Sequence, residues 1–327
     1  MFNYSFCAII NFNCMNLMTI LRLESTCTYE KGGKKMTIQL ENERISVTIL
    51  TKGAELASIK NKKTGIEYLW QADPTYWGRH APVLFPVVGR LKEDSYQVDG
   101  KSYPMNQHGF ARDGDFEIVE QDDSSVTLEL GATTETKRVY PFDFKLKIQY
   151  RLVGETVTTH YTVENPSSTE KLYFSIGAHP GFNIPLTKET VFEDYFLSFS
   201  PRKTRTTIPL TGAYLNTPAK TLAQTNTDIA LSRHLFDNDA LIYEVKGENI
   251  FTIKSEKTPH SVSVKFTDFP YVGVWSPPKT DAPFVCIEPW FGIADTFDSN
   301  GNLKEKLGIQ SLEPTQQFDA EFDITVS

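Results

Sequence analysis

The stretch from Lys145 to Val163 constrains the fold more than any other part of the chain. KLKIQYRL (145–152) alternates in character and puts Leu146, Ile148, Tyr150 and Leu152 on one face. After a turn at Gly154, TVTTHYTV (156–163) does the same with Val157, Thr159, Tyr161 and Val163. Strand side chains alternate between faces with period two, so this pattern predicts a long antiparallel hairpin with one buried face. ISVTIL (45–50), SVSVKF (261–266) and GVW (273–275) continue the theme. SYQVDGKSYPM (95–105) predicts two short strands around Asp99-Gly100, a strong two-residue hairpin signal. FVCIEPWFG (284–292) opens as an apolar run and predicts a strand buried on both faces. Helical periodicity is scarce, and only a single turn near Ser232–Phe236 is expected.

A length of 327 residues would allow two domains, but no linker, internal repeat or low-complexity segment divides the chain. The expectation is one all-β antiparallel domain over residues 36–327, with packed, twisted sheets and function at loops and strand ends. Residues 1–35 do not share this pattern. MFNYSFCAIINFNCMNLMTILRL lacks the basic start and cleavage site of a signal peptide. Lys31-Gly32-Gly33 can be encoded as a ribosome-binding sequence, with two lysine codons as spacer before Met36. Residues 1–35 therefore read as translated upstream sequence or a disordered extension.

The net charge of −8 and scattered basic residues give no electrostatic footprint for nucleic acid. No apolar run reaches the roughly 20 residues of a membrane-spanning helix, so no membrane partner is expected. Three of the four cysteines (Cys7, Cys14 and Cys27) lie in the first 30 residues, without zinc-type spacing. Cys286, between Val285 and Ile287, reads as a buried free thiol. A reducing, cytoplasmic location fits that usage.

Of six histidines, two stand apart. His108 in NQHGFARDGDF and His179 in GAHPGF both sit in glycine-punctuated loops after extended segments. His80, His160, His234 and His260 read as structural or surface residues. Glu288 lies among Val285, Ile287, Trp290 and Phe291. Burial there would raise its pKa toward the range of an acid or base, unless it pairs with an arginine. Arg90, in APVLFPVVGRL, either pairs with a buried acid or reaches a ligand's oxygens. No nucleophile elbow, zinc-protease helix, calcium loop or phosphate loop is present, and no cluster has metal-ligand spacing. Phe182, Trp275, Trp290 and Phe291 could offer rings to the apolar faces of a sugar.

GAELASI (53–59), APVLFPVVGRL (81–91), HGFARD (108–113), GAHPGFN (177–183), LFDNDALI (235–242) and IEPWFGIAD (287–295) together carry a family resemblance. The sequence resembles the aldose 1-epimerases (galactose mutarotases), and most closely their LacX-like branch. The resemblance implies a galactose mutarotase-like twisted antiparallel β-supersandwich that interconverts sugar anomers without cofactor or metal. By the same resemblance, His179 is the acid that protonates the ring oxygen and Glu288 the base on the C1 hydroxyl. His108, Arg90 and Asp237 become sugar ligands, with Asp239 two positions away as the alternative to Asp237. The implied partner is a small sugar, with a homodimer left open. Two other functions remain: action on hexose 6-phosphates, for which Arg90 and Arg112 are the nearby basic residues, and sugar binding without catalysis. The chain departs from the better-known mutarotases at Gly89, where they carry an asparagine before the arginine.

Overall fold

The computed structural model describes residues 26–30 and 33–327, with side chains from Met36 onward. The expectation for residues 1–35 falls largely outside them. The expected hairpin forms from strands Lys145–Val153 and Thr156–Glu164, with Leu146 opposite Val163, Ile148 opposite Tyr161 and Leu152 opposite Val157. All six of those side chains are buried. The hairpin lies within a nine-stranded antiparallel sheet, between Ser125–Gly131 on one side and Gln317–Val326 on the other.

A second sheet of eight strands carries the chemistry. Its central strand, Phe284–Phe291, is flanked by Tyr271–Trp275 on one edge and by the short strands Ile176–Ala178 and Gly181–Asn183 on the other. Val285 and Ile287 of this strand share one apolar core with Ile148, Val157, Val264 and Ile324 of the nine-stranded sheet. The two sheets therefore pack face to face, as the alternation predicts. Cys286, Glu288 and Trp290 take the opposite phase, where loops cover them, and seven of the strand's eight residues are buried.

Gly33–Glu41, Ile45–Leu50 and Glu55–Asn61 belong to a four-stranded sheet, completed by Thr26–Glu30. Ile45, Val47 and Ile49 send every second side chain into the main core. Ser95–Val98 and Lys101–Pro104 form the expected hairpin. Asp99 and Gly100 both have positive φ, 50° and 76°, as a type I′ turn requires. The helical turn near residue 234 is a 3-10 turn, Arg233–Phe236. The one α-helix among the described residues, Thr134–Val139, was not expected. Its six residues have no apolar stripe, and it starts from a reciprocal cap between Thr133 and Thr136.

Candidate functional site

Strand register alone brings the two main candidates together. Gly177 pairs with Trp290 and Gly181 with Cys286. His179, midway between the glycines, therefore faces Glu288, midway between their partners. The His179 Nε2 and Glu288 Oε2 atoms lie 3.2 Å apart, without hydrogen-bond alignment. His179 is 8% exposed and Glu288 1%. Both border a cavity of about 350 Å³, within the usual range for a small-molecule site.

Trp290 forms part of the cavity wall because two neighbouring residues lack side chains. A Cβ on Gly177 would come within 2.7 Å of the Trp290 ring, and one on Gly273 within 2.4 Å. Glycine on each flanking strand thus leaves the indole room to lie across the sheet. Trp77 lies over His179 at 4.7 Å between ring centroids, tilted by 31°, and Trp275 meets the same imidazole edge-on at 5.5 Å. All three tryptophans line the cavity.

His108 also lines the cavity, its ring 5.5 Å from that of His179. Its backbone N–H donates to the Gly89 carbonyl, and the Gly89 N–H donates back to Nδ1 at 3.1 Å. An Nδ1 that accepts cannot carry the proton, so His108 is the Nε2–H tautomer, with that donor 3.3 Å from the Gln107 side-chain amide at the cavity wall. Gly89 occupies a left-handed conformation, φ 75°, against Ala294. A side chain there would meet Ala294 at 2.5 Å, which explains glycine at this departure from the family pattern. Arg90 follows at the cavity wall, its guanidinium forked onto Asp94 at 2.8 and 2.6 Å. Arg90 thus pairs with an acid, but Asp94 is half-exposed rather than the buried acid expected, and Arg90 still borders the cavity.

Asp237 does not line the cavity. Its carboxylate faces His234 Nδ1 at 3.0 Å on the surface. Asp239 lines the cavity instead. A positive φ of 76° at Asp239 breaks the local phase shared by the two aspartates, so only the second turns inward. Phe182 is in the core and Phe291 packs against it, leaving Trp275 and Trp290 as the two expected rings at the cavity. Trp77 and Gln107 also line it. Neither was singled out, because both sit in irregular loops without periodicity. Among the other histidines, His80 lies beside Glu55, His160 beside Asp319 and His260 beside the Ser327 carbonyl.

Burial dominates the electrostatics. It pushes the Glu288 carboxyl well above the ordinary range, and the nearby Asp239 carboxylate adds to the rise. Burial holds His179 down to about 3, with Arg112 and Arg79 adding to the fall, and it also lowers His108. Both shifts favour the uncharged forms, a neutral imidazole beside a carboxyl that holds its proton more tightly than an exposed one, with 3.2 Å between Nε2 and Oε2.

Known proteins share this sequence and fold. Residues 36–325 match the family model described as aldose 1-epimerase. The chromosomal protein LacX of Lactococcus lactis is 33% identical over 299 residues, covering 89% of this chain and 99% of that protein. The crystal structure of a galactose mutarotase related enzyme from Lactobacillus acidophilus superposes with a TM-score of 0.88 at 43% identity, covering 89% of this chain and 97% of that one. A galactose mutarotase-like protein from Lactobacillus casei superposes at 0.82 with 33% identity, covering 89% and 100%.

Proposed function

Because this chain belongs to the aldose 1-epimerase family, we propose that it interconverts the α and β anomers of a hexose by acid–base ring opening and closure. The observation that carries the reading is the buried His179–Glu288 pair at a cavity walled by three tryptophans. Ring opening needs a proton taken from the C1 hydroxyl and one given to the ring oxygen, two atoms on the same carbon. Breaking the C1–O bond and forming the carbonyl then balance without any net change in the protein.

Burial disfavours both charged forms in the free protein, so the bound sugar's oxygens must stabilise the ionised pair. Proton transfer from Glu288 to His179 then creates a carboxylate base beside an imidazolium acid. Glu288 then takes the C1 hydroxyl proton while His179 protonates the ring oxygen. After rotation about C1–C2, closure on the other face returns both protons. The short separation and the dry surroundings keep that transfer within the pair. In this reading His108 Nε2–H donates to a sugar oxygen, and Arg90 and Asp239, which border the cavity, hold hydroxyls. The tryptophan rings cover the apolar C–H faces.

A phosphorylated hexose is the second reading. Arg112 lines the cavity, and its Nε makes no hydrogen bond, with the Asp113 carboxylate 4.0 Å away. Optical rotation of fresh α-glucose, α-galactose and glucose 6-phosphate tests both readings. Acceleration on a free sugar supports the first, and acceleration confined to the phosphate supports the second. A rate equal to the spontaneous one on every sugar overturns the enzyme reading.

A further inference from the structure

Cys286 is buried and free, packed with Trp70, Ala282 and Phe284, and the proton transfers described above do not use its thiol. It lies two residues before Glu288 on the same strand, so both side chains leave the same face of the sheet. His179 reaches that spot from the neighbouring strand pair. The ligand atoms of His179, Cys286 and Glu288 all fall within 4.8 Å of one another. Glu288 Oε2 is buried, without a hydrogen-bond partner, on a side chain that borders the cavity.

We infer that His179, Cys286 and Glu288 form a binding site for a borderline-soft divalent cation of the zinc class, and that occupancy blocks the acid–base pair. One nitrogen, one thiolate and one carboxylate make a donor set suited to zinc, and the cavity side leaves a fourth position for water or a hydroxyl. With bonds of about 2.0–2.3 Å, neighbouring ligands around tetrahedral zinc sit roughly 3.5 Å apart. The imidazole and carboxylate already stand at 3.2 Å. The widest separation closes by about 1 Å, within reach of a side-chain rotation. Binding releases the thiol proton. It also occupies the lone pairs that would exchange protons with the sugar, so the cation inhibits rather than assists. The inhibitory half of this inference rests on the proposed function, whereas the binding half does not.

Cobalt titration of the chelator-stripped protein tests the binding half directly, because a thiolate ligand gives a near-ultraviolet charge-transfer band. The expected result is one cobalt per chain with that band, displaced by zinc. Cys286→Ala should abolish the band, and His179→Ala should weaken binding by more than about tenfold. His160→Ala, which removes the exposed imidazole beside Asp319, should change neither. Thermal unfolding checks that each variant folds. If Cys286→Ala does not fold, loss of the wild-type band on reversible thiol blocking replaces it. Absence of the band in wild type, or an unchanged band in Cys286→Ala, overturns the site. With any active sugar, zinc should inhibit wild type and spare Cys286→Ala. Equal inhibition of both overturns the blocking role while leaving the activity itself intact.

Discussion

Replacing Glu288 by glutamine should remove activity and at the same time change how stability depends on pH. An unfolded glutamate titrates near pH 4.3, whereas burial holds the native group protonated to well above its ordinary value. Between those values the native state binds the extra proton. Wild-type stability therefore falls as pH rises, by up to about 1.4 kcal/mol per pH unit from this group. Glutamine stays neutral in both states and carries no such loss. Other titrating groups cancel in the difference between the two proteins. His179 has a lowered native value, so it perturbs the comparison only below the unfolded histidine range. The comparison is therefore read above about pH 6.5. Urea denaturation of both proteins, with chelator present, should show Glu288→Gln gaining on wild type as pH rises. Loss of the base should lower the rate by about 10²- to 10⁴-fold over the same range. A stability difference independent of pH, or one that shrinks as pH rises, would refute a buried protonated carboxyl.

Three further perturbations follow from single contacts. Lys306 is buried against Asp295 at 2.9 Å, so Lys306→Met strands a buried carboxylate and should cost about 3–5 kcal/mol in urea denaturation; an unchanged midpoint would contradict this. Gly273→Ala places a Cβ within 2.4 Å of the Trp290 ring, so it should cost about 1–3 kcal/mol and raise KM by narrowing the cavity; a wild-type KM would mean that the indole does not move inward. Asp239→Asn should raise KM by about tenfold or more, the worth of a charged hydrogen bond, whereas Asp237→Asn should leave kinetics at wild-type values; the reverse pattern would return the sugar contact to Asp237.

The sheets were legible because strand alternation is a local signal. Lys145–Val163 shows its buried face in its own residues, and the run 284–292 shows that both faces of its strand are covered. His179 and Glu288 were legible as unusual groups in rigid or apolar settings. Their approach was not, since it depends on Gly177 pairing with Trp290 and Gly181 with Cys286 across the sheet. The same register brings in Cys286, whose sequence distance from His179 hides any ligand spacing. Trp77 stayed hidden because its loop has no period. Asp239 displaced Asp237 because one left-handed residue reverses the local phase. The helix Thr134–Val139 rests on a cap rather than on an apolar face.

In the proposed reaction His179 and Glu288 act as one proton-exchanging unit. The anomerisation rates of wild type, His179→Ala, Glu288→Ala and the double variant, each confirmed folded, on the most active sugar test this directly. Removing either member of a unit disables both, so each single variant should lose about 10²- to 10⁴-fold and the double variant little more. Losses that multiply in the double variant, or a single variant at the wild-type rate, would contradict the claim.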